Sequence, residues 1–172
     1  MPTLVLDPQP VELAALIERR RRLGQDLLDE VWDGVLHMNP APSGRHANIA
    51  QQLAELLGPP ARKAGLVPML SIFNLGESGN YRVPDGGLHR EREDRVYYES
   101  AALVLEIVSP DDETWEKLPF YAAHRVGELL IVDPQERTVQ WFALAGEQYQ
   151  PVEASGLIEL GPGELSQRID WP

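Results

Sequence analysis

The sequence predicts an α/β protein of the α+β kind, a curved mixed β-sheet flanked by helices. Helical periodicity occupies residues 10–23 and 44–57, and from residue 66 onward short apolar runs alternate with turn-forming residues. Helices thus precede or interrupt a mainly β series, the pattern of a sheet with helices packed on it. Composition agrees: 43% hydrophobic and 24% charged residues over 172 positions describe a globular chain of single-domain size. A chain of this length buries roughly 70% of the surface its unfolded form exposes, without disulfides or a structural metal.

Residues 10–23 (PVELAALIERRRRL) place Val11, Ala14, Ala15 and Ile17 at helical spacing, and Gly24 is suited to close the helix in a left-handed conformation. The run Arg19 to Arg22 reads as a solvated helix end that complements the helix dipole rather than as a phosphate patch. Asp33-Gly34 between short apolar runs is a strong hairpin signal. Residues 44–57 carry the stripe Ile49, Leu53, Leu56 and Leu57; His46 shares that inward face, and Pro59-Pro60 are expected to end the helix. Strands are then expected at LVPMLSIF (66–73), YRVPD and ALVLEIV, with a Gly-rich turn at 76–80 and a polar loop at 86–95. A short helix around 119–125 is expected next. ELLIVD, a turn at Pro134 to Arg137, TVQWFAL and weaker strands near 148–152 and 157–160 complete the series.

Cysteine is absent, which excludes a disulfide framework, a zinc knuckle and a thiol nucleophile. MPTLVLDPQP has neither the basic start nor the apolar run of a signal peptide, so a cytoplasmic location is expected. No apolar stretch approaches the roughly 20 residues that span a bilayer. The net charge of -12 gives a field that repels nucleic acid, so a protein acting on phosphate needs a local basic surface or bound cations. Thirteen arginines against two lysines, with 15 prolines, suit a GC-rich or thermophilic source and single out Lys63 and Lys117.

Ala102 to Val108 is continuously apolar except at Glu106, the pattern of a strand buried on both faces. An ionised carboxylate there needs a partner, either a cation in a core ion pair or a divalent metal shared with another acid. Asp85 follows Pro84 at the end of YRV and opens into Gly86-Gly87, so a neighbouring strand is placed to present a second acid beside Glu106. Two oxygen ligands plus waters suit magnesium. Lys117 stands just ahead of Pro119, which sets a helix start. An ammonium near a metal-bound water can orient it and help deprotonate it.

The succession DG, PSGRH before a helix, PD, LVLEIVSP, EKLPFY and GELLIVDP resembles the Uma-two family of restriction-endonuclease-like proteins. The resemblance spans roughly residues 25–145. It divides the single expected domain (1–172) into an N-terminal helix (1–24), a nuclease-like core (25–145) and C-terminal strands (146–172). By implication the fold is that of the PD-(D/E)xK nucleases, in which two acids and a lysine bind magnesium and activate water. Asp85 and Glu106 then become ligands of magnesium (or manganese), with the backbone carbonyl of Ile107 as a third. Val108 occupies the place of the usual lysine two positions after the glutamate, and Lys117 from the following helix substitutes. Gly86-Gly87 departs from the family's apolar strand after Pro-Asp, and Glu113 to Glu116 departs from its segment ahead of the lysine.

His46 and Tyr121 are accessory candidates, and each has a plain packing role as its alternative. His89, Arg90, Arg92 and Arg95 form the best local basic patch, although Glu91, Glu93 and Asp94 alternate with them. A serine hydrolase is not indicated: Ser43 and His46 lie too close on a helix start and no nucleophile elbow appears. The expected function is metal-dependent hydrolysis of phosphodiester bonds in nucleic acid, DNA rather than RNA, with no membrane partner and room for a homo-oligomer. Its rival is a catalytically silent scaffold or regulatory binding module on the same fold, with Glu106 and Lys117 paired in the core.

Overall fold

The computed structural model describes residues 11–110 and 113–172, so the part of the expected N-terminal segment before Val11 lies outside the described residues. Helix α1 (Val11–Arg22) forms where the periodicity placed it. Gly24 closes it at φ +63°, with the Gln25 N–H donating to the Arg20 carbonyl at 2.9 Å. Only Ile17 of its expected apolar face is buried, and Val11 is 82% exposed. The helix is anchored instead by Arg20, whose Nη2 and Nε donate to Asp29 at 2.6 and 3.2 Å. Arg20 is thus taken out of the expected solvated run.

Strands β1 (Glu30–Trp32) and β2 (Val35–His37) make the expected hairpin. Asp33 and Gly34 both adopt positive φ, 49° and 86°, as the tightest two-residue turn demands. Helix α2 (Gly44–Lys63) starts at Ser43, whose hydroxyl accepts the His46 N–H at 3.2 Å, and runs through Pro59-Pro60 instead of stopping there. Gly58 has no Cβ to clash with the ring of Pro59, and burial of Leu57 and Ala61 outweighs the lost backbone bonds.

The expected strand 66–73 shortens to β3 (Val67–Met69), and the expected turn at 76–80 is mostly β4 (Asn74–Glu77) and β5 (Asn80–Arg82) around Gly79. The expected loop at 86–95 begins with a fully buried strand, β6 (Gly86–His89). Its glycines are there for space: a Cβ on Gly87 would meet the Leu103 carbonyl oxygen and Phe73 at 2.9 Å. Short β7 (Tyr97–Tyr98) precedes β8 (Leu103–Ile107), in which every residue is buried. A 3-10 turn (Trp115–Lys117) leads into α3 (Leu118–Ala123), then β9 (Glu128–Asp133), β10 (Thr138–Ala145) and β11 (Gln148–Pro151).

The expected strand near 157–160 does not form. Residues 162–168 make a helix instead, α4 (Pro162–Arg168), with Pro162 at its start. The segment after residue 145 is therefore one strand and one helix rather than strands alone. Two turns of helix are too short to show a period, and only Leu165 within them is buried.

The strands divide over two sheets, a five-stranded one ordered β2-β1-β5-β4-β7 and a six-stranded one ordered β11-β10-β9-β8-β6-β3. The chain crosses between them several times, one crossing being at Pro84, between β5 and β6. The outer strands of the larger sheet each contain a proline, Pro68 in β3 and Pro151 in β11. Leu103, Leu105 and Ile107 of β8 pack with α2 and α4 through Ile49, Leu53, Leu57 and Leu165. Val104, with Leu129 of β9, packs on the opposite face with Tyr121 and Phe73. Alternation along β8 therefore turns Glu106 toward α3. No helix among the described residues is long and apolar enough to cross a membrane.

Candidate active site

Strand β8 carries Glu106 into the interior, where it is 4% exposed. Asp85 is not part of β5 but stands immediately ahead of β6, whose Gly86 pairs with Leu105 of β8. That register sets Asp85 beside Glu106 across the β6–β8 pair. Asp85 is tied down at both oxygens: Oδ2 accepts the Ile107 N–H at 2.8 Å, and Oδ1 lies 3.1 Å from Nε2 of His46. His46 reaches it from the first turn of α2, the inward direction that its spacing to Ile49 predicts.

Lys117 arrives from the opposite side, at the junction between the 3-10 turn and α3. Its Nζ lies 3.2 and 3.4 Å from the two oxygens of Glu106 and 2.9 Å from Oε1 of Glu30. One helical turn later Tyr121, fully buried, donates its hydroxyl to Oε1 of Glu106. Tyr121 therefore packs in the core, as expected, and also touches the site.

Sequence reasoning missed Glu30. It is 1% exposed; Oε1 also accepts the Val83 N–H at 2.8 Å, and Oε2 accepts the Trp32 Nε1–H at 2.7 Å. Behind it the guanidinium of Arg82 lies between two rings, 4.3 Å from the centroid of Trp32 and 3.9 Å from that of Phe120. A signal was available: in a strand, Glu30 shares a face with Trp32, an aromatic that seeks the interior.

The electrostatics follow from three carboxylates converging on one ammonium. Burial pushes Glu106 up to about 8, the negative charges of Asp85 and Glu30 add to this, and Lys117 and the Tyr121 hydroxyl restrain it. Burial works to lower Lys117, but Glu106 and then Glu30 outweigh it and raise its pKa. Beside these acids Lys117 is held as a cation. Burial raises Tyr121 well above the usual phenol range, with Glu106 next in importance, so it acts as a donor.

Glu30, His46, Asp85, Glu106 and Lys117 line a cleft of about 580 Å³. Among the described residues no three His, Cys, Asp or Glu side chains are grouped so as to hold a metal by themselves. The donor set nevertheless fits a hard divalent cation. Asp85 and Glu106 supply oxygen, the acids exceed the cations, and magnesium characteristically completes its shell with waters. Ile107, whose carbonyl is the third expected ligand, lines the same cleft.

The expected basic patch after Asp85 is reduced to the exposed Arg90 and Arg92. His89 is 5% exposed, packed against Phe73 and Tyr98, and burial lowers its pKa. Arg95 is engaged by Glu93 and Glu99 at 3.1 and 3.4 Å. The other lysine, Lys63, makes an exposed pair with Glu159 at 2.5 Å.

Comparison with known proteins agrees with the architecture. The family model Uma2, described as "putative restriction endonuclease", matches residues 16–168. A solved structure from Anabaena variabilis, described as "a putative nuclease belonging to DUF820", superposes with a TM-score of 0.65 at 16% identity. The match covers 81% of this chain and 90% of that one, which establishes the shared fold. No curated protein matches.

Proposed function

Because the chain belongs to the Uma2 family, we propose that it is a metal-dependent nuclease that hydrolyses phosphodiester bonds of DNA in preference to RNA. Asp85, Glu106 and the carbonyl of Ile107 would hold magnesium or manganese. The observation that carries this reading is the convergence of Asp85, Glu106 and Lys117, from three separate elements, at the floor of one cleft. A bound divalent ion supplies Lewis-acid stabilisation of charge on phosphate and a water of lowered pKa.

The chain's own groups do the positioning. The Ile107 N–H and His46 aim Asp85, and the Tyr121 hydroxyl aims Glu106. Lys117 keeps its proton and presents positive charge where a phosphate oxygen or leaving group gains negative charge. Glu30 holds that ammonium in place from behind. The test is release of labelled fragments from DNA with magnesium or manganese and with chelator. Cleavage that persists in chelator, or in Asp85→Asn, would defeat the proposal.

One observation favours a second reading. Lys117 is fully paired by Glu30 and Glu106 without any ligand, which is also how a silent core ion pair looks. On that reading the protein is a binding module on a nuclease fold, consistent with its net charge of -12. Wild type inert toward every nucleic acid tried, and indifferent to both metals in thermal unfolding, would favour it.

A further inference from the structure

The walls of the cleft say what form of strand enters it. Above the charged floor the aliphatic Leu28, Ala47, Leu70 and Ile72 share them with the polar Asn39 and Gln51 and the acidic Glu113. Of the 13 arginines none lines the cleft, and its two basic residues, His46 and Lys117, already face carboxylates. A duplex is gripped chiefly through phosphates neutralised by lysine and arginine on both strands. It is also stiff over roughly 150 base pairs, so its phosphates do not descend singly into a cleft. Glu106, at 4% exposure, is reached only by a phosphate that descends. An unpaired strand differs on both counts, because it bends at every nucleotide and sets the apolar faces of a base and sugar free to pack on aliphatic side chains.

We infer that the substrate is single-stranded or locally unpaired DNA, with an unpaired nucleotide seated against the aliphatic side chains of the walls and its phosphodiester carried to the floor. This rests on the nuclease reading for its chemistry, but binding tests it separately. Fluorescence anisotropy in calcium, a divalent cation that also takes oxygen ligands, compares a labelled oligodeoxynucleotide alone, annealed to its complement, and as a duplex with a central unpaired loop. The single strand and the loop are expected to bind at least about tenfold more tightly than the full duplex, since only the duplex must first be unpaired. Ala47→Phe, which fills the cleft from an exposed position, should abolish that preference without moving the unfolding midpoint. Ile72→Asp, at the 40% exposed mouth, serves if the first variant folds poorly.

Equal binding of duplex and single strand, binding of neither, or full binding by both variants would overturn the inference. Preferential binding of the unpaired forms with no cleavage in manganese would uphold it while refuting the nuclease reading.

Discussion

Two buried glutamates on adjacent parallel strands, Glu106 of β8 and Glu128 of β9, have opposite fates. Leu103 is registered with Glu128 and Glu106 with Ile131, so the two acids point to opposite faces of the sheet. Glu128 is surrounded by neutral donors: Trp141 Nε1–H at 2.7 Å, the Ser155 hydroxyl at 2.6 Å and the Gly156 N–H at 2.7 Å. It pins the 153–160 segment to the sheet and has no neighbouring charge to answer. Glu106 has one neutral donor, a lysine shared with Glu30, and a second acid beside it. A buried carboxylate enclosed by hydrogen-bond donors is satisfied where it stands; one crowded by other carboxylates carries a repulsion that added positive charge would relieve.

The sharpest way to break that contrast is to neutralise each acid. On the proposed function Glu106→Gln should lower DNA cleavage by roughly 10²-fold or more, the scale of losing one preorganised electrostatic group, yet change stability by no more than about 1 kcal/mol, because Glu30 still pairs Lys117. Glu128→Ala should do the reverse: urea unfolding should show a loss of about 3 kcal/mol or more from three stranded donors, with cleavage per folded molecule retained. If the two variants gave the same profile, the distinction would be unfounded.

A smaller effect separates the sites by ligand. At a concentration about 100 times its Kd, magnesium or manganese should stabilise wild type and Glu128→Gln by about 2.7 kcal/mol, and Glu106→Gln not at all. Thermal unfolding with and without metal reads this directly.

The smallest effect concerns a third buried polar group, His89, whose Nε2 has no hydrogen-bond partner among the described residues. Burial lowers its pKa below the ordinary value near 6.5. Its neutral form therefore suits the fold above that value, and as pH falls below it the unfolded chain takes up a proton that the folded one resists. Stability should decline through that window. Urea midpoints compared between about pH 7.5 and 5.5 should fall less for His89→Phe than for wild type; an equal fall would show that His89 is not responsible.

What was legible in the sequence follows the same physics. Helices α1 and α2, the Asp33-Gly34 hairpin and strands β8 to β10 announced themselves through period or turn chemistry. Glu106 was visible because a charge in an apolar run contradicts its surroundings, and Lys117 because lysine is scarce in this chain. Strand β6 was not, because Gly86-Gly87 carries no apolar signal and is buried for lack of side chains rather than for their nature. Glu30 stands among Asp26, Asp29 and Asp33, of which Asp29 is buried too, and its alternation with Trp32 across a three-residue strand is the one faint mark of its inward face. Its role depends on Lys117, 87 positions later by number, and only the fold brings the two together.

The prolines at the two margins of the larger sheet have a consequence for how copies of this chain meet. A strand arriving beside β3 or β11 finds an N–H missing at Pro68 or Pro151 and a ring where its own backbone would lie. Edge addition to the larger sheet is thereby resisted on both sides. Pairing of two copies strand to strand would have to start from the smaller sheet, whose margins β2 and β7 carry no proline.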